Sequence, residues 1–191
     1  MPVNLLAATT RFLPREDHET THAWFRTLVP WIAPEAYLHV IFRPPPKQLL
    51  ERAGSHLNFP KSVIELFTFQ NGAQLFAGAL WLDGVIEEGQ LLDRTSRFGL
   101  LPFDIADANG IRRFDSARYL IIGGYRFDGS SVCVDRVSGQ VGLKQRGDPT
   151  VRIGWPNIDR WLVDELERIG QLFADDGHFI GTSEDLAPPV P

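Results

Sequence analysis

A single cysteine, Cys133, leaves this 191-residue chain without an internal disulfide, so its stability has to come from packing. Basic residues are in the minority. The 19 Lys and Arg stand against 24 Asp and Glu, a net charge of -5, which argues against direct nucleic-acid binding through a basic face. Long apolar runs are missing too. The longest, LFAGALWL at Leu75 to Leu82, falls well short of the ~20 residues that cross a bilayer, and no membrane segment is expected. The opening MPVNLLAATTRF has only the short apolar run Leu5 to Ala8, with no basic residue before it, so a cytoplasmic setting is the expectation. There is no internal repeat. Only the ending SEDLAPPVP is compositionally biased, and its acids and prolines suit a disordered end.

What the chain has in quantity is apolar and aromatic side chains. With 43% hydrophobic residues, five Trp and thirteen Phe, it can bury one sizeable core, which fits one domain with extensions. The first punctuation is RPPPK at Arg43 to Lys47, three prolines that cannot sit inside a helix. They divide an N-terminal extension, residues 1–43, from a main domain at 44–174, with an acidic, proline-rich tail at 175–191. The extension reads as a helix from about Asp17 to Leu28 followed by a strand, YLHVIF. Beyond the prolines, KQLLERAG predicts a short helix closed by Gly54. A second helix starts at Pro60, buries Val63, Ile64, Leu66 and Phe67, and ends at Asn71 and Gly72, where a glycine takes a left-handed cap.

After Gly72 the pattern changes to short apolar or alternating runs bounded by turn residues. Strands are predicted at Leu75 to Leu82, Tyr119 to Tyr125, Ser131 to Asp135, Gln140 to Leu143 and Val151 to Ile153. The link VSG makes a tight hairpin, so these strands are antiparallel. The last element is a helix from Ile158 to Phe173, capped by Asn157 and carrying Ile158, Trp161, Leu162, Ile169 and Leu172 on one stripe. The fold class that follows is α+β: a single domain with helices packed on an antiparallel sheet.

Three blocks, FPKSVIELFTFQNGAQLFAG, LIIGGYRFDGSSVCVDRVSGQVG and WPNIDRWLVDEL, resemble the hallmark blocks of the SUKH superfamily, the fungal cell-wall-synthesis regulators and their bacterial toxin-immunity relatives. Phe59 and Pro60 stand where that family usually has Leu-Pro. Asn71 and Gly72 match its helix-ending Asn-Gly, and Gly123, Asp128, Gly129 and Asp135 match its central hairpin. The likeness runs from about Lys47 to Ile169 and leaves the extension and the stretch Glu87 to Ala117 without counterparts. It implies a SUKH-like, non-enzymatic protein-binding domain, commonly an immunity protein that blocks a toxin by sitting on it, and it transfers no catalytic residue.

One motif points elsewhere. His18, Glu19 and His22 spell HETTH, the HExxH pattern by which a helix presents two imidazoles to zinc and a carboxylate to the attacking water. A zinc-dependent hydrolase is therefore the alternative reading. Against it, only 17 residues precede His18, no third ligand is specified, and Phe25 and Leu28 stand where a metzincin needs Gly and His. The expectation is no catalytic residue, no metal and no cofactor. GGYRFDGSS has the P-loop glycine spacing, but Ser130 replaces the phosphate-binding lysine and a strand follows. Cys133 lies between Val132 and Val134 and reads as buried and inert.

Charge supplies the remaining candidates. Asp83, Glu87, Glu88 and Asp93 follow Trp81 with no base among them, and Asp175, Asp176, Glu184 and Asp185 repeat the pattern near the end. The bland reading is two solvated loops. The sharper one makes Glu87, Glu88, Asp175 and Asp176 partner-binding residues that meet a basic protein such as a nuclease toxin, with the chain itself a monomer or weak homodimer.

Overall fold

The computed structural model describes residues 5, 17–19, 23–27, 37–87, 102–111, 117–174 and 177–188. Among them the chain forms nine strands, each hydrogen-bonded antiparallel to the next in sequence. They are β1 (Asp17–Glu19), β2 (Ala23–Thr27), β3 (Tyr37–Phe42), β4 (Ala73–Leu75), β5 (Leu80–Leu82), β6 (Tyr119–Tyr125), β7 (Ser131–Asp135), β8 (Val141–Lys144) and β9 (Val151–Trp155). Helices accompany this meander among the described residues at α1 (Lys47–Leu57), α2 (Lys61–Phe67), α3 (Ile105–Ile111) and α4 (Ile158–Gly170). The fold is α+β, an antiparallel sheet with helices packed on it.

One apolar cluster joins the layers. Leu50 from α1, Val63 and Phe67 from α2, and Trp161, Leu162 and Ile169 from α4 meet strand residues such as Leu75, Leu82, Leu120 and Val132. β6 and β7 are buried along almost their whole length, with Ile121 and Cys133 fully covered as well as their inward neighbours. Burial on both faces is why LIIGGY and SVCVD read as continuous apolar runs instead of alternating ones. Asn157 caps α4 by accepting the Arg160 N–H at 2.8 Å, as its position after Pro156 predicts.

Several expectations are corrected. Asp17 to Leu28 is not a helix: its described residues form β1 and β2, with Glu19 opposite Trp24, and β2 pairs with β3. The aromatic residues and Thr27 of AWFRT favour a pleated strand once β3 is there to pair with, and that pairing overrides a helical spacing. The extension thus enters the same sheet as the rest, because β3 also pairs with β4. Leu75 to Leu82 is a hairpin and not one strand, since Phe76, Ala77 and Gly78 all take positive φ and turn the chain. The Phe76 ring is buried 4.8 Å from the His39 ring and 5.3 Å from that of Phe173, and this packing holds a backbone conformation that neither Phe nor Ala favours.

Helix ends also move. α1 runs through Gly54 and stops at Asn58, whose left-handed backbone closes the helix back to the Gly54 carbonyl. α2 ends at Phe67, well before Gly72, and Ile64 lies on its exposed side. α4 ends at Gly170, after which Phe173 bridges to Phe179. The expected disordered end is ordered over Ser183–Leu186, a 3-10 turn closed by a capping box between Thr182 and Asp185. Arg168 donates to the Asp185 carbonyl at 2.8 Å and ties that turn to α4.

Candidate functional site

The segment that follows β5 is built into the structure by Asn71. Its side-chain amide donates to the Val85 carbonyl at 2.8 Å and accepts the Val85 N–H at 2.7 Å, so it pairs with Val85 as a strand neighbour would. Gly84, just before, passes so close to Asn71 that a Cβ would lie 2.3 Å from the Asn71 carbonyl oxygen. The same stretch binds the next one. Gly84 donates to the Phe103 carbonyl at 2.8 Å and accepts from the Ile105 N–H at 2.9 Å, which sets the start of α3. Asp104 then caps α3 through the Ala106 N–H. A second asparagine completes the frame: Asn109 donates to the carbonyls of Ile105 and Ile121 and accepts the Ile121 N–H, fastening α3 to β6.

Between this frame and α1 lies a groove with a volume of about 320 Å³. Leu49, Arg52, Ala53, His56 and Leu57 form one wall. Their spacing of three or four residues places them on one face of α1 over two turns. Val85, Ile86, Asp104, Ile105 and Ala106 form the other. Leu49, Ala53 and Leu57 pack against the core cluster, and Val85 and Ile105 belong to it, so the floor is apolar and firmly backed. Arg52 and His56 are exposed. Elsewhere on the helices exposed cations pair with acids one turn away: Lys47 with Glu51, Lys61 with Glu65 and Arg160 with Asp164. Arg52 has no such partner among the described residues, and the exposed His56 lies one turn further along the same face.

The far end of α1 is pinned from the β7–β8 turn. Arg136 donates to the carbonyls of Leu57 and Asn58, groups that the helix end leaves without partners. Asp135 organises that turn by accepting the N–H groups of Val137 and Ser138, and it also accepts from Arg118 at 2.9 Å. The Ser138 N–H, then the Arg118 hydrogen bond, hold its carboxyl down at about 2.

One cluster of titratable groups lies inside the protein, between β6 and α4. The Trp161 indole donates to the Tyr125 hydroxyl at 3.1 Å, near the buried Glu165 carboxylate, which pairs with Arg168 at 2.7 Å. Burial first, then the charge of Glu165, pushes the Tyr125 hydroxyl well above its usual range. Both Tyr125 and Glu165 are inside the protein, so the bond from Trp161 to Tyr125 locks α4 to β6 and offers nothing to a substrate.

The residues singled out from sequence fall as follows. His18 and Glu19 lie on β1, so the helix that HExxH requires is not there, and His22 lies outside the described residues. Glu87 is exposed one residue beyond the groove wall at Ile86. Glu88, Asp175 and Asp176 lie outside the described residues. Asp83 is no surface acid, since it is buried and accepts the Trp81 indole N–H at 3.1 Å. Asp185 is engaged by Thr182. Gly124 is a packing glycine under the Trp81 ring, where a Cβ would lie 2.7 Å from the indole. Among the described residues no group of three or more His, Cys, Asp or Glu could hold a metal, and no helix is long and apolar enough to cross a membrane. The sequence reading missed the groove and Asn109. The i, i+3, i+4, i+7, i+8 set at Leu49, Arg52, Ala53, His56 and Leu57 was the available signal for the first.

Among known proteins, no family model, curated protein or solved structure matches this chain.

Proposed function

We propose that this chain is a non-enzymatic protein-binding module, an immunity protein or regulatory scaffold of the kind its resemblance to SUKH domains implies, acting in the cytoplasm. The observation that carries this reading is the groove between α1 and α3. It is open and apolar-floored, its charges are on the rim, and its walls are fixed by Asn71, Asn109 and Arg136. A preformed recess of this kind favours docking because little ordering is left to be done on binding. Glu87 at its end, with Glu88, Asp175 and Asp176, supplies acids that would attract a basic partner such as a toxin.

The test uses the product of a neighbouring gene as the captured partner. Association rates are measured from low to high salt for the native chain, for Ala106→Trp, which crowds the groove, and for Glu87→Gln with Glu88→Gln or Asp175→Asn with Asp176→Asn. The groove reading expects Ala106→Trp to lose the complex while keeping its melting temperature. The acids should raise the association rate, and that gain should fall as salt shortens the screening length to ~8 Å at physiological ionic strength. Turnover of a small substrate with no protein captured would remove the proposal.

A further inference from the structure

We propose that the α1–α3 groove takes a short extended segment of the partner protein in which an apolar side chain is followed by a carboxylate. This rests on the protein-binding reading and names what the groove recognises. The floor selects the apolar part. Leu49, Ala53 and Leu57 on one side and Val85 and Ile105 on the other offer only carbon to an incoming side chain.

The rim selects the charge. Arg52 and His56 are one turn apart on the same wall and exposed, and Arg52 is unpaired among the described residues, whereas Glu51, the acid next to it, is already engaged by Lys47. Asp104 on the opposite wall accepts the Ala106 N–H at 2.9 Å and caps the start of α3. A carboxylate arriving over the floor therefore meets a guanidinium fork from Arg52, the geometry in which charge-assisted hydrogen bonds are strongest. Length agrees with an extended segment. From Leu49 to Leu57 the helix rises roughly 12 Å at about 1.5 Å per residue. Three to four residues of extended chain cover that distance at about 3.3 Å each. The exposed Glu87 and the Arg52 guanidinium then read different parts of one partner, which gives the interface a fixed orientation.

The experiment titrates the full chain, followed by backbone amide and side-chain NMR, with acetyl-Ala-Leu-Glu-Leu-Glu-Ala-amide and with its Lys-for-Glu counterpart. The expected result is that the acidic peptide shifts Ala53, His56, Leu57 and Ile105 and the basic one does not. Arg52→Glu, a surface change that should leave the fold intact, weakens the acidic peptide about tenfold and admits the basic one. Equal binding of both peptides, preference for the basic one, or indifference to Arg52→Glu overturns the proposal. So does the absence of shifts from either peptide at millimolar concentration, and in that case capture of the neighbouring gene product still decides the broader reading. Shifts at these residues that depend on protein concentration alone and vanish in Arg52→Glu would give the groove to a second copy of the chain and overturn it as well.

Discussion

The side chain of Asn71 takes both backbone hydrogen-bonding groups of Val85, donating at 2.8 Å and accepting at 2.7 Å across fourteen residues of sequence. Val85 is buried, so removing the amide strands an N–H and a carbonyl away from water. Asn71→Ala should therefore destabilise the protein by about 2 kcal/mol or more. Asn71→Asp can still accept from Val85, but it sets a charged oxygen against the Val85 carbonyl where the amide donated, so it should cost at least as much at neutral pH. Denaturant melts give the energies, and amide exchange at Val85 locates the effect. A Val85 amide that exchanges at the native rate in Asn71→Ala would show that the clasp does not hold this wall of the groove.

Gly72, beside it, is required for two separate reasons. Its φ is +83°, and a Cβ would lie 2.7 Å from the Leu82 carbonyl oxygen and 2.9 Å from that of Asp83. The left-handed backbone alone costs a side chain ~1 kcal/mol. The clash is with backbone, which cannot rotate away, so Gly72→Ala should lose well over that amount. An unchanged melting temperature would contradict both the dihedral and the close approach.

These two positions also show what sequence could and could not reveal. Asn71 and Gly72 stand out as a pair, and a helix end is the usual reason for them, but here α2 has stopped at Phe67 and the pair serves a contact with Leu82 to Val85. The pattern was visible while its partner, being distant in sequence, was not. The β6–β8 hairpins and α4 were legible because their signals are local: alternation and continuity of apolar residues, Gly129 and Gly139 at the turns, and Asn157 as a cap. β1 and β2 were not, because HETTHAWF carries a helical spacing that is overruled only when β2 pairs with β3 and β1 with β2. The groove fell between these cases. Its α1 wall is a readable stripe, but the opposite wall depends on Asn109 reaching β6 twelve residues away.

Ala77 marks a place where the chain works against its own conformational preference. It is exposed, with φ at +55°, in a turn fixed by the buried Phe76 ring. Glycine adopts that conformation freely, and nothing is packed on the methyl group in a buried setting to be lost. Ala77→Gly should raise stability by up to ~1 kcal/mol, an unusual direction for that substitution, because relief of strain outweighs the added freedom of the unfolded chain. A lower melting temperature would mean that the turn prefers another conformation.

Asp135 ties acid stability to the anchoring of α1. Its carboxylate accepts the Ser138 and Val137 N–H groups and the Arg118 guanidinium, and these hold its pKa at about 2, below the ~3.9 of an unfolded aspartate. A depressed folded pKa means that the unfolded chain binds the proton first. The stabilisation is thus fully present above pH ~4 and is lost as the pH falls toward 2. Asp135→Asn keeps the shape but has no charge to lose, so it should be less stable than the native chain at neutral pH, and the difference should close between about pH 4 and 2. Urea melts of both proteins across that window measure it. Because Arg136 leaves the same turn to cap the carbonyls of Leu57 and Asn58, a loosened turn should also speed exchange in the last turn of α1. A native-minus-variant difference that stays constant with pH would mean that Asp135 acts through shape alone and not through its charge.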